Sequence, residues 1–246
     1  MEDYVLFSSI GGHDPIANYH DGAMLHICRT YKPKKIYLYL TKEMLERSSK
    51  DNRYCESLKK LQRHLNYTIE EIQTIERPNL TEVHIFDTFF NDFESIINEI
   101  HEKNPNETIL LNLSSGTPAM KSALNIIATM ARYKKMVAVQ VPTPTGKENA
   151  KDEDHDKFDL DVYWELDEDN RPDWKSRCKE IVSINLMAKI NKEIIIRFIK
   201  AYDYSAALSV SKDIADFLPE NSLNFLTAAY CRLQLDQSGY DKALNG

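Results

Sequence analysis

Two short polar segments follow apolar runs in this chain, and each could bind an anion. One is Asn112-Leu-Ser-Ser-Gly-Thr-Pro118, which follows the apolar residues 109–111. Its hydroxyls, and the free N–H groups of a helix that starts there, would attract negative charge through hydrogen bonds and the helix dipole. Lys121, one turn further, can add a positive charge. The same residues suit a plain helix start, with Thr117 as its cap and Pro118 in its first turn, so both interpretations stay open.

The other segment is Gly11-Gly12-His13-Asp14-Pro15, which follows the apolar run Tyr4–Ile10. Glycines here let the backbone turn tightly or approach a ligand closely. His13 falls in this predicted ligand loop, and imidazole is well suited to proton transfer near neutral pH. A hydrogen bond that steadies the glycine turn is its alternative role. The other histidines have no chemical cluster around them in the sequence, and we expect structural or solvent-facing roles for them: His20, His26, His64, His84, His101 and His155.

Apolar runs alternate with helical periodicity over residues 4–141, which is typical of a doubly wound, Rossmann-like α/β domain. The predicted strands are Tyr4–Ile10, Lys35–Thr41, Val83–Phe86, Thr108–Leu113 and Met136–Val141, with an edge strand at Leu160–Trp164. Helices are predicted over 21–31, 53–65, 89–101 and 119–132. The carboxyl ends of parallel strands form the ligand-binding edge of such a sheet, and both polar segments follow strands of this kind.

Two common nucleotide-binding patterns are missing from the sequence. It has neither the three spaced glycines of dinucleotide-binding domains nor the phosphate loop of Gly, four residues, Gly, Lys and Ser/Thr. These absences argue against a nicotinamide enzyme and against a nucleoside triphosphatase.

The charge balance argues against a partner with a long phosphate backbone. The chain has 31 Lys plus Arg and 38 Asp plus Glu, a net charge of −7. Residues 147–175 contain 12 acidic and 5 basic residues, so the whole excess lies there. Duplex or long nucleic acid would require a basic stripe, which this sequence lacks. A small phosphorylated ligand, by contrast, needs only backbone N–H groups and a few hydroxyls or lysines.

The cysteines and the N-terminus favour a cytoplasmic protein. The 4 cysteines are scattered without Cys-x-x-Cys spacing, which predicts reduced thiols and no metal site. Met1-Glu2-Asp3 precedes a strand rather than a basic, apolar leader, and no apolar run reaches membrane length. We therefore expect no membrane association.

Past Trp174 the apolar spacing becomes helical throughout, which predicts two domains. We place an α/β domain at 1–175 and an all-α region at 176–246. The acidic segment Lys147–Asp159 is predicted to be an exposed loop rather than a lid, because its carboxylates would repel phosphates.

Three blocks of this sequence resemble a known family. Ser8–Pro15, Asp21–His26 and Asn112–Met120 are similar to the conserved blocks of the CRISPR-associated Rossmann-fold (CARF) sensor domain. The likeness is greatest to the type III-A CRISPR accessory endoribonucleases of streptococci and their relatives. It covers residues 4–185, and its most specific part is the Ser-Ser-Gly-Thr-Pro run.

The resemblance implies a homodimer that binds a cyclic oligoadenylate, with cyclic hexaadenylate favoured over cyclic tetraadenylate, and that needs no cofactor. It also implies slow cleavage of the ring without a metal, by attack of a ribose 2′-OH on the adjacent phosphate. Asn112 and Thr117 would donate to that phosphate, and His13 would transfer a proton. The implied ligand-binding residues are Ser9, Ile10, Gly11, Gly12, His13, Asp14, Asn112, Ser114, Ser115, Gly116, Thr117 and Lys121.

In the family, ligand binding activates a HEPN ribonuclease domain that carries an Arg and a His with four to six residues between them. Only Arg77 and His84 have that spacing here, next to Pro78 and inside a predicted strand, so we expect the chain to end before the HEPN domain. Two other hypotheses remain open. The domain could bind the ring without cleaving it, or it could be an unrelated α/β enzyme that acts on a small phosphorylated molecule.

Overall fold

The computed structural model describes residues 3–130, 135–144, 157–181 and 184–245, in two compact units, 1–182 and 183–246. The elements of the first unit are β1 (Tyr4–Ser9), β2 (Ile16–Ala17), β3 (His20–Asp21), α1 (Ala23–Tyr31), β4 (Lys35–Thr41), α2 (Lys42–Asp51), α3 (Arg53–Leu65), β5 (Glu71–Arg77), α4 (Phe86–Lys103), β6 (Thr108–Asn112), α5 (Pro118–Met130), β7 (Met136–Gln140), α6 (Leu160–Leu166), a 3-10 turn (Glu168–Asn170) and β8 (Lys179–Ile181).

The first unit is built on a six-stranded sheet in the order β5-β4-β1-β6-β7-β8. All neighbouring strands are parallel except β7 and β8, which pair antiparallel. From β1 the chain moves outward through β4 to β5, then returns to the other side of β1 for β6 and β7. The direction of winding therefore reverses between β1 and β6, which confirms the doubly wound α/β prediction. Ligands of such sheets bind at this reversal, beyond the carboxyl ends of the strands.

Alternate residues of the central strands build two separate hydrophobic cores. On β1, Val5 and Phe7 face one core together with α4 and α5, whereas Leu6 faces the other core together with α1 and α3. A strand that is buried on both faces must be apolar at nearly every position, and this is why β1, β4 and β6 are readily predicted from the sequence.

The strand predicted at Val83–Phe86 is wrong. Residues 82–85 form a turn, and Phe86 begins α4. The strand in this part of the sheet is β5, at Glu71–Arg77, which the sequence analysis missed. It lies at the edge of the sheet and is half exposed, so only Ile72 and Ile75 in its sequence are apolar.

The edge strand predicted at Leu160–Trp164 is also wrong, because these residues belong to helix α6. The Asp159 carboxylate caps that helix and accepts hydrogen bonds from the backbone N–H groups of Asp161 (3.0 Å) and Val162 (3.3 Å). Leu160, Tyr163 and Trp164 pack against the core that contains α1 and α3. Most of the acidic segment that was predicted as an exposed loop, 147–156, lies outside the described residues.

The second unit consists of helices: α7 (Ile184–Lys200), α8 (Tyr204–Lys212), a 3-10 turn (Ala215–Phe217), α9 (Ser222–Leu233) and α10 (Gln237–Asn245). Its buried core contains Ala188, Ile195, Ala207, Ile214 and Leu226. The prediction of an all-α region is confirmed for this unit, but strand β8 (Lys179–Ile181) lies within the range 176–246 that was predicted to be helical. Among the described residues of both units, no helix is long and apolar enough to cross a membrane.

The loops after β1 and β6 touch at the point where the winding reverses. A Cβ atom added to Gly11 would lie 2.6 Å from the backbone nitrogen of Gly116, closer than atoms can approach. Gly116 itself has a φ of +83°, which L-residues with side chains rarely adopt. The Ser9 hydroxyl fixes the same contact by donating to the Ser115 carbonyl at 3.0 Å. Only glycine at position 11 permits the two loops to meet.

We expect Gly11→Ala to lower the free energy of unfolding by about 1–3 kcal/mol, because the added methyl group must push the Gly116 backbone away. Urea unfolding followed by circular dichroism measures this change. Gly12→Ala adds the same methyl group one residue further along and is the matched control. Equal stability of Gly11→Ala and the wild-type chain would contradict the steric contact.

Candidate functional site

Two cavities open on either side of the contact between Gly11 and Gly116. One has a volume of about 470 Å³ and is bounded by the end of β4, by residues 80–83 and by the start of α5. The other has a volume of about 300 Å³ and is bounded by the hairpin of β2 and β3 and by the segments that follow β6 and β7. Gly11, Gly12 and Gly116 line both cavities. The candidate site therefore lies at the carboxyl edge of the sheet, where the winding order places it.

Most of the residues predicted from the sequence line these cavities. Ile10 and Thr117 line the larger one, and the three glycines line both. The predicted residues on the smaller cavity, besides the glycines, are His13, Asp14, Ser114, Ser115 and Lys121. Ser9 and Asn112 line neither cavity, because both side chains are fully buried beneath the loops.

The Asn112 amide organises the loop after β6 from below. Its Nδ2 donates to the hydroxyls of Ser8 (2.9 Å) and Ser115 (3.0 Å). Its Oδ1 accepts from the backbone N–H groups of Ser114 (2.9 Å) and Ser115 (3.3 Å). Both ends of the amide are thus engaged inside the protein, and a hydrogen bond to a ligand phosphate would have to replace one of these contacts.

Thr117 is also engaged. Its hydroxyl donates to the Val83 carbonyl at 2.6 Å, which ties the start of α5 to the turn that precedes α4. The same oxygen lies 3.4 Å from the backbone nitrogen of Met120, so its contribution as a helix cap is weak. Pro118 is the first residue of α5, as predicted.

The Asp14 carboxylate lies at the N-terminus of α1. The carboxylate accepts from the backbone N–H groups of Gly11 (3.0 Å) and Met24 (3.1 Å) and therefore links the glycine loop to the helix. Burial raises the pKa of Asp14, and these two hydrogen bonds oppose that rise. His13, beside it, is exposed to solvent.

Behind the smaller cavity lies a buried ionic network that joins α1 to the segment after α6. On one side, Arg29 donates through Nε and Nη2 to the Asp21 carboxylate. On the other, Nη2 of Arg177 donates to Oδ2 of Asp169 at 2.9 Å. His26 lies between them, with its Nδ1 3.5 Å from Asp21 and 3.4 Å from Asp169. Its Nε2 accepts the backbone N–H of Arg177 at 2.9 Å, which orients the ring.

This network corrects the expectation that His20 and His26 have no cluster around them. His26 is fully buried among charged groups, and Nδ1 of His20 lies 3.7 Å from Asp169. No local pattern indicates this arrangement, because Asp169 and Arg177 are more than 140 residues away from His26 along the chain.

The network shifts the pKa values of its buried members. Burial alone would lower the pKa of His26, but hydrogen bonds to Asp169 and Asp21 raise it above its ordinary value. Burial alone would raise the pKa of Asp169, but the hydrogen bond from His26 and the charges of His26 and Arg177 hold it well below the ordinary range. Burial and the nearby Asp21 charge raise the pKa of Asp167 to about 9. This raised pKa favours the neutral form of Asp167 at neutral pH. The pKa of Asp21 is lowered by His26 and Arg29 against the effect of burial.

Comparison with known families identifies the two units. Residues 71–178 match the Csm6 CARF domain, and residues 181–233 match the Csm6 6H domain. The chain belongs to the Csm6 family and carries its CARF and 6H domains. The resemblance found in the sequence is confirmed.

Relatives at similar identity come from several bacteria. The CRISPR system endoribonuclease Csm6 of Mycobacterium tuberculosis is 36% identical over 234 residues, which are 94% of this chain and 54% of that protein. The protein of the same name from Enterococcus italicus is 34% identical over 214 residues, covering 84% of this chain and 47% of that protein. The chain spans about half the length of the curated relatives it matches.

A solved structure is also similar. Enterococcus italicus Csm6 bound to cyclic hexa-2′-fluoro-hexa-dAMP superposes with a TM-score of 0.72 at 26% identity, covering 96% of this chain and 56% of that one. The similarity extends over both the CARF and the 6H domain.

Asp21, His26 and Asp169 are the described residues of the CARF domain whose side chains could in principle hold a metal ion, since their ligand atoms lie within 4.8 Å of one another. Their chemistry does not fit that role. Arg29 already neutralises Asp21, and Arg177 neutralises Asp169, so the positions that a cation would take are filled by guanidinium groups. These side chains form a structural network of ion pairs.

Several cavity residues were missed in the sequence analysis. Pro142 and Thr143 line the smaller cavity because they follow β7, the neighbour of β6 in the sheet. Their position after an apolar strand is a signal of the same kind as the one that revealed the glycine loop. Leu80 and Thr81 line the larger cavity, and they were missed because β5, the strand before them, was not recognised.

We expect Asn112→Ala to lower the free energy of unfolding by at least about 1–3 kcal/mol, because it leaves two buried N–H groups without their acceptor. Urea unfolding measures the change. Asn106→Ala removes an exposed amide of the same size and should have an effect within about 0.5 kcal/mol. If Asn112→Ala were as stable as Asn106→Ala, the amide would not be the support of this loop.

We expect Asp167→Asn to remove a pH dependence from the stability of the CARF domain. The folded chain keeps the Asp167 proton up to about pH 9, whereas the unfolded chain releases it near 3.8, so raising the pH across this range destabilises the folded state. Asparagine has the same shape as the neutral carboxylic acid and stays neutral at every pH.

Melting temperatures between about pH 5 and about pH 9 test this prediction. The melting temperature of Asp167→Asn should exceed that of wild type by an amount that grows as the pH rises. The expected gain is about 2–4 °C for each kcal/mol of difference in the free energy of unfolding. The exposed Asp173→Asn is the control and should follow the wild-type curve. A constant difference between Asp167→Asn and wild type would show that Asp167 is ionised.

Proposed function

We propose that this chain is a cyclic oligoadenylate sensor of type III CRISPR immunity, that cyclic hexaadenylate is its ligand, and that it works in the cytoplasm. The observation that carries the proposal is the pair of cavities that share Gly11, Gly12 and Gly116. Cyclic tetraadenylate is the alternative ligand. The cyclic hexanucleotide bound to the Enterococcus italicus relative supports the larger ring.

The two cavities suit different parts of such a ring. The larger one presents apolar side chains, among them Ile10, Met44 and Leu80, against which an adenine can pack. The smaller one presents hydroxyls and Lys121, which suit ribose and phosphate groups. Backbone N–H groups of the glycine loops can approach the ring closely because no side chain stands in front of them.

A homodimer is part of the proposal. One subunit offers one set of these loops, and an even-numbered ring can lie on a two-fold axis so that both subunits contact equivalent halves. The same argument fits six or four adenylates, so symmetry alone does not choose the ring size.

We include slow cleavage of the ring in the proposal. The ribose 2′-oxygen forms a bond to the adjacent phosphorus while the bond from phosphorus to the 5′-oxygen breaks, which leaves a 2′,3′-cyclic phosphate. The 2′-OH loses its proton, and the departing 5′-oxygen gains one. His13 is exposed on the smaller cavity and would transfer a proton. Thr117 and the loop supported by Asn112 would hold the phosphate in line with the attacking oxygen.

A sensor that binds the ring without cleaving it is the second candidate. It is favoured by the hydrogen bonds of Asn112 and Thr117, because both side chains are committed to protein partners. In either case, ligand binding in the longer protein would activate a HEPN endoribonuclease domain. The family match and the endoribonuclease names of the relatives support that output.

Incubation of the purified chain with cyclic hexaadenylate or cyclic tetraadenylate in EDTA, followed by mass spectrometry, tests the proposal. We expect linear fragments that end in 2′,3′-cyclic phosphate, from the hexamer more than from the tetramer. His13→Ala should slow cleavage by about 10²–10⁴-fold, the usual contribution of a proton-transfer group, while binding is retained. His64→Ala, which removes an exposed imidazole on α3 away from both cavities, is the matched control if its unfolding curve equals that of wild type.

Binding without products would support the non-catalytic sensor. No binding to either ring would contradict the proposed function as a whole.

A further inference from the structure

The smaller cavity has a cationic side chain that neither the sequence motifs nor the glycine loops account for. Arg177 lines this cavity together with Lys121, although the two residues lie on segments far apart in the chain. Lys121 makes no side-chain hydrogen bond or ion pair with the described residues. The two carboxylates that also line the cavity are committed elsewhere, Asp14 to backbone N–H groups and Asp21 to Arg29.

The Arg177 guanidinium is fixed on its inner side. Its Nη1 donates to the Pro142 carbonyl at 3.0 Å, and its Nη2 donates to the Asp21 carbonyl at 3.0 Å and to Asp169 at 2.9 Å. A guanidinium has five N–H groups, so these bonds leave two unused. One of the two is Nε, which is buried and has no hydrogen-bond partner among the described residues. The side chain as a whole stays 19% exposed.

We propose that Arg177 and Lys121 together bind a backbone phosphate of the ligand, an inference that rests on the proposed function. A guanidinium held in a fixed plane is well prepared for phosphate, because it loses little rotational freedom on binding and still has one N–H on Nη1 and one on Nε without a protein acceptor. Lys121 supplies a second charge from the start of α5. The Arg177 guanidinium would then interact with two anions at once, the ligand phosphate and the Asp169 carboxylate.

This position also gives the bound phosphate a route to other parts of the CARF domain. Arg177 holds the segment after β7 at Pro142, the hairpin of β2 and β3 at Asp21, and the turn at Asp169. Two residues later the chain enters β8. A phosphate bound to Arg177 competes with Asp169 for the same guanidinium and weakens the ion pair between Arg177 and Asp169. Ligand binding in the cavity therefore affects the end of the CARF domain.

The salt dependence of binding separates a phosphate contact from a structural role. Each cation that neutralises a phosphate of a single strand contributes about 0.7 to the slope of log affinity against log salt concentration. We expect Arg177→Gln to weaken binding of cyclic hexaadenylate roughly 10- to 100-fold and to reduce that slope by about 0.7. Lys121→Gln should reduce the slope by a similar amount, and Arg177→Lys should keep the wild-type slope.

Arg171→Gln is the matched control, because Arg171 lies in the same segment but is exposed and contacts only Glu168 in the described part of the chain. It should change neither affinity nor slope. A loss of affinity in Arg177→Gln at an unchanged slope would overturn the proposal, since it would mean that Arg177 only supports the fold. Wild-type affinity in Arg177→Gln would overturn it as well.

A second measurement keeps the arginine in place. The Nε–H signal of Arg177 in a proton–nitrogen NMR spectrum is assigned by its absence in Arg177→Lys, and it should shift when the wild-type chain is saturated with cyclic hexaadenylate. An unchanged signal at saturation would overturn the proposal even if Arg177→Gln did not fold. If the wild-type chain binds neither ring, it is the proposed function that fails, and this is seen before any variant is made.

Discussion

The candidate site depends on one steric condition. Two backbone segments must touch between β1 and β6, where the direction of winding of the sheet reverses. The loop after β1 and the loop after β6 come so close that a methyl group on Gly11 would overlap the Gly116 nitrogen. Once the loops meet, Ser9 and Asn112 can reach across from beneath them, and the surface divides into a cavity on each side. The buried hydrogen bonds therefore support a contact that only glycine makes possible.

The ionic network behind the smaller cavity solves a different problem, which is to attach the last part of the CARF domain to its first helix. Five charged or titratable side chains are buried there beside the partly exposed Arg177, and isolated buried charges would be costly. They are tolerated because the two arginines pair with carboxylates and because the raised pKa of Asp167 favours its neutral form. Such a network mainly fixes how the segments that it joins are arranged. It adds little to overall stability, since apolar residues of similar volume would stabilise the fold about equally well.

The sequence predicted the parts of the fold and site that depend on local patterns. Central strands are apolar at nearly every position, and the glycine and Ser-Gly-Thr-Pro segments follow them directly, so β1, β6 and their loops were found. β5 was missed because an edge strand has one covered face, and α6 was taken for a strand because its apolar residues fit both periods. The Asp159 cap was the signal that could have distinguished them. Arg177 and Asp169 could not be connected to His26 from the sequence, because their meeting depends on the complete sheet.

Asp14 has a further consequence for the electrostatics of the site. Two helices, α1 and α5, begin beside the glycine loops, and each directs the positive end of its dipole toward them. At α1 that field is cancelled by a carboxylate from the protein itself, whereas the first turn of α5 contains no acidic residue. The positive field at the site is therefore one-sided: it is strong at the start of α5 and cancelled at the start of α1. An anionic ring would be oriented by this difference before any side chain touches it.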